Sequence, residues 1–75
     1  VDFVEARVFW HTLRAKILGS IRANPARATE LSRKLGPPLP KILYHLSVLE
    51  RSKYIRRAEG EDPDAVDPVF EAVFR

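Results

Sequence analysis

Apolar residues recur along this chain at two different spacings, and the change of spacing divides it. From Phe3 to Ile21 they fall three and four apart: Phe3, Val4, Ala6, Val8, Phe9 and Trp10, then Leu13, Ile17, Leu18 and Ile21. That pattern lays one stripe along the side of a helix. Asp2 stands where it can cap the first turn, with Glu5 three residues on as its capping-box partner. The reading is of two helices meeting near His11 and Thr12. The second is ended by Asn24-Pro25, because a residue before proline is pushed out of helical geometry. A short helix is expected from Ala28 to Leu35, with Leu31 and Leu35 inward at i, i+4 and Gly36 closing it in a left-handed conformation.

The next segment, LGPPLPKILYHLSVLE at 35–50, crowds three prolines against a strong helical pattern. Proline breaks a helix interior but is harmless in the first turn, where its missing N–H would have no intrahelical partner. The prolines therefore mark a start, and a helix follows over 39–51, about 20 Å long at ~1.5 Å per residue. Turning about 100° per residue from Ile42, Leu46 and Leu49 share a narrow stripe that must face a core. Pro40, Tyr44, Ser47 and Arg51 lie opposite, flanked by Lys41, and His45 falls near the core edge. After Ser52 the period drops to two. Tyr54–Arg57 suits a strand, AEGEDPDAVDP is a turn-rich loop, and VFEAVF alternates Phe70, Ala72 and Phe74 against Glu71 and Val73.

Length and composition restrict what this helix, helix, short helix, long helix and hairpin can be. The 75 residues make one small domain, and 45% hydrophobic with 31% charged residues is the balance of a folded chain. No apolar run approaches the ~20 residues of a membrane span, and no basic start precedes an apolar block as in a secretory leader. The chain opens on Val1, as a fragment of a longer protein would, and the cytoplasm is the expected compartment. With no cysteine, disulfides, thiolate metal sites and cysteine nucleophiles are excluded. His11 and His45 lie on different predicted helices with no second ligand at helical spacing, so neither a metal nor a cofactor is expected. Nor is an enzyme, since there is no acid–base pair, no Ser/His/Asp grouping and no phosphate-cradling glycine loop. The net charge of +3 conceals an asymmetry: residues 1–57 carry twelve Lys/Arg against four Asp/Glu, and residues 58–75 carry one against six. A basic body of this kind attracts a polyanion such as DNA.

A short helix, a tight turn with glycine and a second helix form a helix-turn-helix over 28–51, and the hairpin at 54–75 adds a wing. The pieces HTLRAKIL at 11–18, ATELSRKLG at 28–36, YHLSVLE at 44–50 and VFEAVFR at 69–75 together resemble the winged helix-turn-helix domain of ArsR-like transcriptional regulators. The resemblance implies a mainly α fold, a three- to four-helix bundle plus wing. It also implies sequence-specific binding of double-stranded DNA by a repressor, usually a dimer, with the helix at 39–51 reading bases in the major groove. On that reading Pro40, Lys41, Tyr44, His45, Ser47 and Arg51 face DNA from this helix. Arg27 and Thr29, at the start of the short helix, sit where a phosphate is favoured, and Arg56 and Arg57 enter the wing. Six large apolar residues within 1–10 make that end the candidate homodimer surface. The chain departs from the family in its proline- and leucine-rich reading turn, its acidic wing tip, and Lys53 where glycine is general. An alternative is a winged helix used for protein contact, in which Leu39, Leu43 and the prolines form an apolar patch and the acidic wing meets a basic partner.

Overall fold

In a computed structural model, the two helices expected at the N-terminal end are one: α1 runs unbroken over Phe3–Ala23. Nothing between Phe9 and Leu13 breaks a helix, and the stripe of Leu13, Ile17 and Ile21 continues the same i, i+4 rhythm into the core. The structure describes the backbone of residues 3–62 and 64–74, and the side chains of residues 11–62 and 64–74. The Asp2 cap and the apolar cluster within 1–10 lie outside the described residues and side chains.

Three helices and a three-stranded antiparallel sheet follow in the order α1, β1 (Ala26–Arg27), α2 (Ala28–Leu35), α3 (Leu39–Arg51), β2 (Ile55–Arg57) and β3 (Val69–Ala72). The bounds of α2 and α3 are those expected from the sequence. Strand β1 was not expected. Its two residues are too few to show a period, and it exists because β3 pairs with it, Ala26 opposite Phe70 and Arg27 opposite Val69. Strand β3 is central, with β2 on its other edge in the register Ile55↔Ala72, Arg56↔Glu71 and Arg57↔Phe70.

The hairpin is shorter than the sequence pattern. Tyr54 lies outside the strand with its side chain in solvent, its N–H donated to Leu49 O at 3.0 Å. Phe70 and Ala72 point inward as expected, but β3 ends at Ala72 and Phe74 is 75% exposed. The inward set is completed instead by Ile55, which is 1% exposed. One core results: Leu13, Ile17 and Ile21 of α1, Ala28 and Leu31 of α2, Ile42, Leu46 and Leu49 of α3, and Ala26, Ile55, Phe70 and Ala72 of the sheet. Leu18, Leu35 and Leu39 pack on its margin.

Candidate nucleic-acid interface

Helix α3 is aimed by the corner before it. Gly36 closes α2 at φ 99°, donating its N–H to Ser32 O at 2.9 Å, and Ser32 Oγ reaches over the corner to Pro37 O at 2.7 Å. Pro38 is the N-cap of α3 and Pro40 lies in its first turn. Both lack an N–H, and those of Lys41 and Ile42 turn back on Pro38 O. The helix thus begins with few free backbone donors, so an anion at this end is met by the Lys41 ammonium more than by the main chain.

Burial divides α3 along the line the helical period draws. Ile42, Leu46 and Leu49 are 0%, 1% and 3% exposed, while Pro40, Lys41, Tyr44, Ser47 and Arg51 are all exposed on the other side. Among the described residues neither Lys41 nor Arg51 has an acidic partner. Ser47 Oγ donates to Tyr44 O of its own helix at 3.1 Å, which leaves the hydroxyl lone pairs to meet a donor. Arg51 stands ten residues beyond Lys41, roughly 15 Å along the axis. Leu43, expected in the apolar patch of the protein-contact alternative and not among the DNA-facing residues, is 48% exposed on this side, an apolar group of the kind that contacts a thymine methyl. By the helical period it lies about 100° from Ile42, at the margin of the outer arc near Ser47.

His45 does not belong to this face, contrary to the expectation. It lies about 60° from Ile42 on the helical wheel, inside the buried arc, and is 0% exposed. Its Nδ1 accepts a hydrogen bond from Arg14 Nε of α1 at 3.2 Å, which places the ring proton on Nε2. Burial, and then the neighbouring Arg14 cation, push its pKa below the usual histidine value. His45 is therefore a neutral interior group joining α3 to α1, with its ring centroid 5.5 Å from that of Tyr44 in an edge-to-face arrangement.

Arg27 and Thr29 are also placed otherwise than expected, because the acidic loop between β2 and β3 folds onto the start of α2. Arg27 Nη1 donates to Glu61 Oε1 at 3.3 Å and to the carbonyl of Asp67, and Thr29 Oγ1 donates to Asp67 Oδ2 at 2.6 Å. Glu61 Oε1 also accepts from Val69 N at 2.7 Å, which ties the loop to β3. The position where a phosphate was expected is held by the chain's own carboxylates. The signal lay in the sequence as the acidic run, but nothing in its spacing told which cations it would meet.

The two arginines of β2, Arg56 and Arg57, are paired and open to solvent. Arg56 meets Glu71 at 3.1 Å, and Arg57 meets Glu50 at 3.9 Å. Exposed pairs of this kind contribute about 0–1 kcal/mol, so both cations can change partner at little cost. The apolar patch of the protein-contact alternative is smaller than expected, since Leu39 packs against the core. What remains outside is Leu43 with the exposed Pro38 and Pro40 and, across a shallow groove floored by Ala28, Leu46 and Phe70, Val66 of the acidic loop. Among the described residues no group of three or more His, Asp or Glu is placed to hold a metal ion, and no described helix is long and apolar enough to cross a membrane. No protein-family model, curated protein or solved structure matches this chain.

Proposed function

We propose that this chain is a winged helix-turn-helix domain that binds double-stranded DNA as an ArsR-like repressor, with α3 in the major groove. The observation that carries the reading is the division of α3: one arc is spent on the core, and the other presents Lys41, Tyr44, Ser47 and Arg51 to solvent. The element order supports it, because α2 and α3 meet at the Gly36 corner and β2 and β3 follow as a hairpin. Lys41 and Tyr44 near the start of α3 reach base edges or phosphates, Leu43 lies against a thymine methyl, and Arg51, Arg56 and Arg57 take flanking phosphates. A homodimer joined through the N-terminal part of α1 would place two copies of α3 on half-sites about 34–36 Å apart.

Selection of bound duplexes from a random pool, repeated at two salt concentrations, tests this. An enriched palindrome and a steep inverse salt dependence are expected, and a log–log slope near zero rules the reading out. Lys41→Ala and Tyr44→Ala are expected to weaken specific binding more than nonspecific binding, and equal losses would remove both from the reading set.

The acidic loop favours a second reading. Glu59, Asp62 and Asp64 are exposed on it beside Val66, which is 99% exposed, and such a surface fits a basic protein partner. A stable heteromeric complex with no duplex affinity at low salt would establish that reading over the first.

A further inference from the structure

The last turn of α1, the turn after α3 and the residues beyond β3 enclose an open cleft of about 460 Å3, lined by Arg22, Lys53, Tyr54, Val73 and Phe74. Its volume is in the range of small-molecule sites, roughly 300–1,000 Å3. It adjoins the C-terminal end of α3, about 20 Å from the turn that carries Lys41.

Two features of this cleft point to a ligand, and a third fixes its wall. The first is charge. Arg22 and Lys53, which like Lys41 and Arg51 have no acidic partner among the described residues, stand together at this cleft. Among the described residues no acid lines the cleft, so its lining favours an anion over a cation. The second is apolar surface that folding leaves unused: Tyr54 is 51% exposed and Phe74 is 75% exposed, two rings at one small site. The third is backbone. Lys53 has φ 63°, a left-handed conformation that glycine adopts freely and lysine does not. It is the residue after the C-cap of α3, and the bonds that end the helix hold it in this conformation, so the turn that carries the ammonium is fixed. The floor is fixed: Lys53 N–H donates to Glu50 O at 3.0 Å, Tyr54 N–H to Leu49 O at 3.0 Å, and Val73 N–H to Tyr54 O at 2.9 Å.

We infer that this cleft is a binding site for a small aromatic carboxylate. Arg22 takes the carboxylate through its planar fork, Lys53 adds a second positive donor, and the ligand ring lies against Tyr54 and Phe74. The site goes beyond the DNA-binding reading and does not depend on it.

Two-dimensional NMR of the whole chain without DNA, titrated with 2-naphthoate, tests the site. Saturable shifts are expected at the Tyr54, Val73 and Phe74 amides. The neutral 2-naphthalenemethanol and inorganic phosphate should each bind at least about tenfold more weakly, the loss of one charge-assisted interaction or of the ring contact. Lys53→Gly removes the ammonium but keeps the turn, so it should weaken naphthoate roughly tenfold in a protein that is more stable, not less; Arg22→Gln should do the same with the fold unchanged. Several results would overturn the proposal. They are shifts that do not saturate or that gather on the Lys41 and Tyr44 face, equal binding of the alcohol or of phosphate, and naphthoate affinity indifferent to both substitutions.

Discussion

Replacing Lys53 by glycine is expected to stabilise this protein, and the size of the gain follows from one dihedral angle. Among the described residues Lys53 is the non-glycine residue at positive φ, 63°. The left-handed conformation costs a residue with a Cβ roughly 1–2 kcal/mol. Glycine avoids that cost but loses more backbone freedom on folding, about 0.5–1 kcal/mol. The difference favours glycine by ~0.5–1 kcal/mol. Nothing else in the structure offsets it: the backbone bond from Lys53 N to Glu50 O survives the change, and the side chain is exposed. For a domain of this size the gain corresponds to a rise in Tm of roughly 3–6 °C.

Thermal and urea unfolding followed by circular dichroism would measure it, with two companions that isolate the cause. Lys53→Ala keeps the Cβ and should be near neutral. Gly36→Ala is the mirror experiment: an added Cβ meets nothing within 4 Å, so the φ of 99° alone sets its cost, about 1 kcal/mol of destabilisation. If Lys53→Gly is neutral or destabilising while Gly36→Ala behaves as stated, the reasoning is refuted, because the lysine side chain then contributes as much as its backbone loses.

Other substitutions test the remaining parts of the structure. Ile42→Ala, at a 0% exposed position, should cost about 2–5 kcal/mol in urea unfolding, and a loss below 1 kcal/mol would mean α3 is turned differently. Because the folded-state pKa of His45 lies below its usual 6.5, the unfolded chain binds its proton more tightly. The stability this group contributes is therefore complete above pH ~6.5 and is lost as the pH falls from there through the lowered folded value. His45→Gln should flatten that acid limb, and an unchanged limb would assign it to other groups. Asp67→Ala removes the acceptor of Thr29 Oγ1, so it should cost about 1 kcal/mol of stability while tightening duplex binding at low salt. Unaltered affinity would place the start of α2 away from DNA.

How legible the chain was depended on whether an element is fixed by its own residues or by its neighbours. Helix α3 was legible to its ends, because prolines and glycine set its start and a three- and four-residue period sets its buried arc. Strand β1 was not, since two residues carry no period and owe their geometry to β3. Phe74 continues the alternation of Phe70 and Ala72, yet Val73 donates its N–H to Tyr54 O beyond the end of β2 and the pleat stops there. His45 was placed near the margin of the core by the helical wheel, and only α1 crossing behind it, with Arg14, makes it interior.

The charge asymmetry gives the strongest case of an observation that needed the fold to acquire its meaning. Read along the chain, a basic body is followed by an acidic end, and the two would oppose each other on a polyanion. In the structure the acids are placed selectively. Glu61 and Asp67 meet the start of α2, Glu71 meets Arg56, and Glu50 meets Arg57. The basic residues near the sheet are thereby largely neutralised, whereas among the described residues Lys16, Arg33 and Lys34, Lys41 and Arg51 of α3, and Arg22 and Lys53 at the cleft have no carboxylate partner. Two of the positive regions that remain differ in shape: one is elongated beside an exposed tyrosine and leucine, the other concave beside two exposed rings. On the proposed readings a long polyanion would lie on the first and a compact organic anion in the second, and the acids that occupy the start of α2 leave that position to neither.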